Sequence, residues 1–210
     1  MNLREKNLQQ TKEQLKEKFT RDLLIIQTIH TIDELNSIIN KLFSNLRERY
    51  GYYAPRIVRE EKDEALLKAI SAEKQDDLGV SLRKEDLSSI QELAKELQQL
   101  LSLKQKQEDY LEELMKEVCP ELYQEATSQI GARLIDLAGS LKHLAELPSS
   151  TIQVLGAERA LFRHLKTGAK APKFGVIFAH QKITEAEEKG KAARQLAGKI
   201  SIAAKKDYFR

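Results

Sequence analysis

The sequence predicts an all-α protein: a long antiparallel coiled-coil helical hairpin followed by a compact all-helical domain. Nine Gly and four Pro in 210 residues leave few positions for tight turns. Charged residues make up 32% of the chain and hydrophobic residues 41%, with no Trp, a balance typical of long solvated helices. In two segments, apolar residues recur at alternating steps of three and four, which places them on one face of a helix.

The first segment, residues 3–50, contains no Gly or Pro and predicts one long helix or two in series. Gly51 and Pro55 then interrupt the pattern, because Gly permits chain reversal and Pro disfavours helix in the residue before it. Residues 56–80 are charged and predict a short helix and a connection at the end of a hairpin. The first apolar seam consists of Ile32, Leu35, Ile39, Leu42 and Leu46.

The second segment predicts a helix that begins near Ser81, a plausible N-cap, and ends at Pro120. Its register places Lys104 and Glu108 at seam positions, where polar residues cost stability but fix the pairing register. Because a short connection joins the two helices, we expect them to pair antiparallel. The second apolar seam consists of Leu87, Ile90, Leu97 and Leu101.

After residue 120 the heptad spacing ends and wider apolar helix faces follow. We therefore expect a coiled-coil arm over 1–120 and a compact helical domain over 121–210. Small residues such as Gly131 and Gly139 allow close helix packing there. A final helix over about 184–206 is expected to bury Ile202 among other apolar residues. The apolar run 174–180 is too short to classify by periodicity.

Catalytic, metal and cofactor sites are not expected. Cys119 is the single cysteine, which excludes an intramolecular disulfide and a cysteine-rich zinc site. The four histidines lie on separate predicted elements, and no nucleotide-binding glycine loop occurs. No apolar run approaches the roughly 20 residues that span a bilayer, so no membrane association is expected.

Charge is distributed unevenly along the chain. Residues 131–210 carry 15 Lys and Arg against 7 Asp and Glu, whereas residues 1–130 carry 20 against 25. A basic C-terminal part favours a polyanionic partner such as RNA, because cations on a rigid helical frame can contact several phosphates. Helical spacing places three of these cations on one face: Arg159, Arg163 and Lys166.

The segments PSSTIQVLGAERALFRHLKT and APKFGVIFAH resemble the signature of the Nop-domain family. The similarity extends upstream through IGARLIDLAGSLKHLAEL and downstream through KGKAARQLAGKISIAAKKDYF. It also includes the first coiled-coil helix, and it covers roughly residues 20–60 and 82–209. Members of this family are core scaffolds of box C/D RNA-methylating particles, and one relative is a spliceosomal factor.

The resemblance implies that this chain binds a kink-turn RNA together with a ribosomal-protein-like kink-turn binding protein. His180 is a candidate for stacking on RNA. The arginine that the family has before its T-P-K element is absent here, so one phosphate contact is either missing or supplied by Lys170. Arg159 stands where the family usually has Lys, and Arg49 where it has Trp. The implied RNA and protein contacts are Gly156, Ala157, Glu158, Arg159, Arg163, Lys166, Lys170, Lys173, His180, Arg194, Lys199 and Lys205.

The resemblance also implies that the coiled coil mediates either self-association or contacts within the particle. It does not include the family's enzyme-recruiting N-terminal domain, which leaves a fibrillarin-like methyltransferase without its usual docking domain. The short, acidic-armed form looks archaeal and hence cytoplasmic; a eukaryotic member would be nucleolar or nuclear. Two alternatives remain: a coiled-coil protein–protein adaptor that binds no RNA, and a spliceosomal-type Nop-domain factor.

Overall fold

The computed structural model describes residues 2–210, apart from the side chains of Glu17 and Lys18. Over these residues the chain forms twelve α-helices, one 3₁₀ helix and no strand, which confirms the predicted all-α class. The helices are α1 (Leu3–Lys18), α2 (Asp22–Tyr50), α3 (Pro55–Glu60), α4 (Asp63–Ser71), α5 (Lys84–Val118), α6 (Pro120–Ala126), α7 (Ser128–Ala138), α8 (Leu141–Glu146), α9 (Ser149–Val154), α10 (Glu158–Thr167), the 3₁₀ helix (Val176–Ala179), α11 (Gln181–Thr184) and α12 (Lys189–Phe209).

Contacts divide the chain into two compact units. Unit 1 combines Met1–His30 with Asp109–Arg210, and unit 2 consists of Thr31–Glu108. The first turns of α2 and the last turns of α5 therefore belong with the C-terminal helices. The division into domains 1–120 and 121–210 stays a prediction.

Unit 2 contains the antiparallel hairpin of α2 and α5. Residues near the end of α2, such as Tyr52, lie beside Leu82 and Ile90 at the start of the returning segment. Residues earlier in α2, such as Phe43, lie beside Leu101. Of the predicted seam positions, five are buried in one core and three are partly buried against it: Leu35, Ile39, Leu46, Ile90 and Leu97, then Leu42, Leu87 and Leu101. Ile32 is buried as well.

Helices α3 and α4 close the end of this hairpin. The Arg47 guanidinium donates to the backbone oxygen of Val58 at 2.5 Å and to that of Glu61 at 2.9 Å. The Tyr50 hydroxyl donates to the Lys74 backbone oxygen at 2.5 Å. Burial, followed by nearby negative charge, raises the pKa of Tyr50 to about 12. The buried Tyr50 side chain thereby keeps a hydrogen-bond partner for its hydroxyl.

Several sequence-based details of unit 2 are wrong or refined. Helix α5 begins at Lys84, so Ser81 does not cap it. Residues 3–50, which extend beyond unit 2, form two helices in series, which is one of the two predicted alternatives; the first of them ends at Lys18. The polar seam positions Lys104 and Glu108 form an ion pair of 3.7 Å with each other, which explains how they are accommodated. Residues 56–80 contain two short helices where one was expected.

Unit 1 is organised around α12, which packs against α6, α8, α9 and α11. The Asp207 carboxylate near the end of α12 accepts the backbone N–H groups of Glu121 at 3.1 Å and Leu122 at 2.8 Å. At the start of α2, Asp22 accepts the Leu141 N–H at 2.8 Å. Ile202 was expected to be buried, but it is 60% exposed because it lies on the outer side of α12.

Candidate nucleic-acid interface

The turn between α9 and α10 requires glycine at position 156. Gly156 has φ +87°, a conformation that residues with a Cβ rarely adopt. A Cβ there would also lie 2.4 Å from Cγ2 of Val176 and 3.2 Å from Cδ1 of Leu137. Gly156 therefore acts by shaping the start of α10, and its backbone is exposed at that point.

The segment before the 3₁₀ helix pairs with the end of α9. Gly175 N donates to the Gln153 oxygen at 2.8 Å, and Val176 N donates to the Leu155 oxygen at 2.9 Å. The Gln153 side-chain amide donates to the Lys173 backbone oxygen at 2.7 Å. A Cβ at Gly175 would lie 1.9 Å from the Leu155 oxygen, so this close pairing excludes larger residues. The pairing fixes Lys173 next to the turn that begins α10.

Glu158 and Ala157 belong to the frame of this turn. The Glu158 carboxylate accepts the Gly156 N–H at 2.6 Å, and Ala157 N donates to the Val154 oxygen at 2.9 Å. The carboxylate at the first turn of α10 also interacts favourably with the helix dipole. Both residues were also predicted to contact RNA or the kink-turn binding protein. That binding role stays a prediction.

Helix α10 presents a basic face to solvent. Arg159, Arg163 and Lys166 are all exposed, and at offsets of four and three they share one side of the helix. They extend along about 10 Å of its axis. Within the described part of the chain, none of the three forms an ion pair. Their charge is therefore available to a partner.

An apolar face borders this basic face, and the sequence-based site did not include it. Helix α10 has a polar side and an apolar side, yet its apolar side faces solvent. Phe162 is 61% exposed and Leu165 is 70% exposed. The helix has no buried residue. The helical spacing could have located these residues on one face. It could not show that the face is exposed, because such a face usually packs inside a domain.

The loop after α10 is anchored at its beginning. Gly168 ends the helix in the left-handed conformation, with φ +67°. The His164 ring, half-buried, hydrogen-bonds the Ala169 backbone oxygen. Lys170 and Lys173 follow on this loop, and both are exposed. Lys170 thus follows the end of α10, whereas the bond from Gln153 holds Lys173 beside the turn between α9 and α10.

The predicted cations of α12 do not share one face. Arg194 and Lys205 are 11 residues apart, which is close to three full turns, and both are exposed. Lys199 points elsewhere, because its Nζ lies 3.8 Å from the Glu125 carboxylate, which Lys182 also approaches at 3.3 Å. Lys199 is therefore partly neutralised within the protein, whereas Arg194 and Lys205 have no ion pair among the described residues.

The expectation that His180 stacks on RNA needs correction. His180 is only 7% exposed, and its Nδ1 accepts the Lys182 N–H at 3.1 Å as the N-cap of α11. Burial, and then the charge of Lys182, lowers its pKa. The neutral ring is the form in which Nδ1 can accept a hydrogen bond. An imidazole enclosed in this way has no free face for a base.

Within 2–210, no three His, Cys, Asp or Glu side chains group so as to hold a metal ion. None of the described helices is long and apolar enough to cross a membrane. Cys119 is buried, and desolvation raises the pKa of its thiol to about 12.

Comparison with known proteins assigns the fold to a family. Residues 14–210 match the Nop family, described as a snoRNA-binding domain associated with fibrillarin. The chain belongs to the Nop family. This agrees with the resemblance carried by the α9–α10 turn and the segment after it.

Similar proteins occur in archaea and eukaryotes. An uncharacterised NOP5 family protein of Methanocaldococcus jannaschii is 37% identical over 90% of this Nop chain and 52% of its own length. Nucleolar protein 56 of Homo sapiens is 36% identical over 90% of this chain and 37% of its own. The crystal structure of a fibrillarin/Nop5p complex has a TM-score of 0.61 and 27% identity, covering 99% of this chain and 70% of that chain. The chain thus spans about half or less of these curated relatives.

Proposed function

We propose that this chain is a non-catalytic ribonucleoprotein scaffold that binds a kink-turn RNA together with its ribosomal-protein-like binding protein. Box C/D RNA-methylating particles contain scaffolds of this kind. The observation that carries the proposal is α10, where an unpaired basic face lies directly beside exposed Phe162 and Leu165. Cationic side chains bind the phosphates of RNA, and an exposed aromatic side chain can pack against the surface of a partner protein.

The two faces explain why such a scaffold would need both partners at once. The basic face alone provides about three phosphate contacts, which gives weak, salt-sensitive binding. The apolar face alone is small for a stable protein interface. An RNA that already carries a protein offers both surfaces, so the two contributions add within one binding event.

A gel-shift titration tests this proposal. We expect a shift of a kink-turn RNA by the chain only when the ribosomal-protein-like binder is bound to the RNA. Arg159→Ala with Arg163→Ala should weaken that shift at least about tenfold, because two phosphate contacts are lost. The matched control is Lys41→Ala with Lys95→Ala, which removes the same charge from exposed positions of unit 2 and should change little.

Absence of any shift, with or without the binder, would favour the alternative, a coiled-coil protein–protein adaptor without RNA binding. A spliceosomal-type factor would differ in which kink-turn RNA it prefers. Self-association through the hairpin of unit 2 belongs to the same proposal, and Ile38 and Leu103, which are 47% and 44% exposed, are candidates for that contact. Recruitment of a fibrillarin-like methyltransferase would need sequence beyond the matched region. We place an archaeal protein of this type in the cytoplasm and a eukaryotic one in the nucleolus.

A further inference from the structure

The hairpin tip of unit 2 (residues 49–53 and 78–90) has an exposed apolar patch that belongs neither to the seam nor to the proposed RNA contacts. Tyr52 is 64% exposed, and Leu78 and Val80 are each 63% exposed. The three residues are neighbours, because the Val80 N–H donates to the Tyr52 oxygen at 2.8 Å and Leu78 lies two positions before Val80. Single exposed apolar residues are common on protein surfaces, whereas contiguous groups indicate interaction sites.

A groove lies beside this patch. Tyr52 lines it together with Leu82 and Ile90, and its volume is about 230 Å³. This volume is below the roughly 300–1,000 Å³ of small-molecule sites, but the groove can receive one large apolar side chain. Arg49 also lines the groove. Tyr and Arg are among the residue types that contribute most of the binding energy in protein interfaces.

Arg49 is the unpaired charge in the lining of this groove. The other charged residue there, Asp86, is already held by Arg83, whose Nε donates to its Oδ2 at 3.1 Å. Arg49 is exposed, and within the described part of the chain its guanidinium forms no ion pair or hydrogen bond. Because a guanidinium binds a carboxylate through two parallel hydrogen bonds, an acidic side chain is the complementary group.

The backbone beside the groove favours an extended occupant. Residues 79–83 are neither helix nor turn, and Val80 pairs one edge of this segment with Tyr52. On the other edge, the Ser81 N–H and carbonyl have no hydrogen-bond partner among the described residues. In an extended segment, alternate residues such as Val80 and Leu82 face the same way. A peptide can add to such an edge as a further strand and place its side chains in adjacent pockets.

We propose that the hairpin tip binds an extended segment of another protein. This segment has a large apolar side chain for the groove and, two residues away on the same face, a carboxylate for Arg49. RNA fits less well, because aliphatic side chains do not hydrogen-bond base edges and one unpaired cation contacts few phosphates. The site is independent of the RNA-binding proposal, since it lies in unit 2 and shares no residue with α10.

Two defined peptides test the proposal on the full chain. The first is acetyl-Thr-Leu-Thr-Glu-Thr-amide, and the second has Lys in place of Glu. We expect the Glu peptide to shift the methyl resonances of Leu82 and Ile90 in NMR spectra, while those of Leu134 in unit 1 stay unchanged. The Lys peptide should bind at least about tenfold more weakly, because it places a cation beside Arg49.

Two charge-reversal variants separate this site from a general effect of charge. Arg49→Glu should reverse the preference, so that the Lys peptide binds more tightly than the Glu peptide. Arg59→Glu makes the same change at an exposed position of α3 outside the groove, and it should keep the preference for the Glu peptide.

Three results would overturn the proposal: no shift at millimolar Glu peptide, equal binding of the two peptides, or an unchanged preference in Arg49→Glu. Two further results would assign the tip to a different occupant. The same resonances shifting with protein concentration alone would indicate a second copy of this chain, and their shifting on addition of a kink-turn RNA would indicate RNA.

Discussion

At the scale of single residues, His180 illustrates how a side chain with a possible binding role is instead used for structure. Its ring caps α11 through Nδ1, and the pKa of the ring is lowered mainly by burial. A hydrogen bond to the Glu125 backbone and the charge of that residue oppose the shift. The native protein therefore favours neutral His180 more strongly than the unfolded chain does.

The sign of this effect gives a pH prediction. Because the folded pKa is depressed, the stabilising contribution is present above the unfolded value of about 6.5 and is lost as the pH falls through the folded value. We expect His180→Asn, which keeps a capping acceptor, to lose less stability than the parent between pH 7.5 and pH 5. Urea denaturation at each pH measures the difference.

His143→Asn is the matched substitution of a second histidine, whose side chain is 57% exposed. An identical pH dependence in the parent and in His180→Asn would contradict the account of the cap. The sequence did not predict this cap. Which side chain reaches the backbone N–H groups of α11 depends on how the 3₁₀ helix before it turns, and spacing alone does not show that.

At the scale of helices, the apolar seams of unit 2 were predicted because heptad spacing is a local property of the sequence. The start of α5 was not predicted correctly, because contacts with residues far away in the sequence determine where this helix begins. Val80 N donates to the Tyr52 oxygen at 2.8 Å, and a Cβ on Gly79 would lie 1.7 Å from the Tyr53 oxygen. This close approach holds the segment before Lys84 out of the helix, although Ser81 has the composition of an N-cap.

The seam provides a prediction with a closely matched control. Ile39→Asp should destabilise the hairpin by about 3–5 kcal/mol, because a carboxylate without a partner would be buried in the core. Ser37→Asp places the same carboxylate at an exposed position of α2 and should cost less than about 1 kcal/mol. Thermal melting followed by circular dichroism distinguishes them. Equal melting temperatures for the two variants would contradict the assignment of the seam.

The candidate site was also predicted in part. The shared face of Arg159, Arg163 and Lys166 follows from helical spacing, which the sequence displays directly. Helical spacing does not show that Lys199 pairs with Glu125 or that Phe162 is exposed, because each feature depends on how separate helices pack. Local periodicity thus predicted the basic face of α10, whereas tertiary packing determined that the neighbouring apolar residues are exposed and that Lys199 forms an ion pair.

At the scale of the whole molecule, unit 1 is assembled from two distant parts of the chain. Ile25 and Ile29 of α2 and Leu114 and Met115 of α5 are buried within it. The His30 ring also hydrogen-bonds Asp136 of α7 at 2.8 Å. Residues before position 121 therefore complete the packing of the C-terminal helices.

A fragment of residues 121–210 should consequently be less stable than unit 1 in the full chain. It retains α7 to α12 and α6 without Pro120, but it lacks the buried residues of α2 and α5, so it exposes apolar surface that those residues cover. We expect a lower melting temperature, or no cooperative transition, by calorimetry. A transition at the same temperature as in the full chain would instead support the domain boundary predicted at residue 120.

The Asp22–Leu141 hydrogen bond can form only late in the synthesis of the chain. These residues are 119 positions apart, so a ribosome needs roughly 6 to 24 seconds to reach Leu141 after Asp22, at about 5–20 residues per second. During that interval Ile25 and Ile29 have emerged before the helices that cover them have been synthesised. The beginning of α2 therefore lacks this partner until Leu141 has been synthesised, and slow translation between the two positions prolongs the exposure of Ile25 and Ile29 to proteases and chaperones.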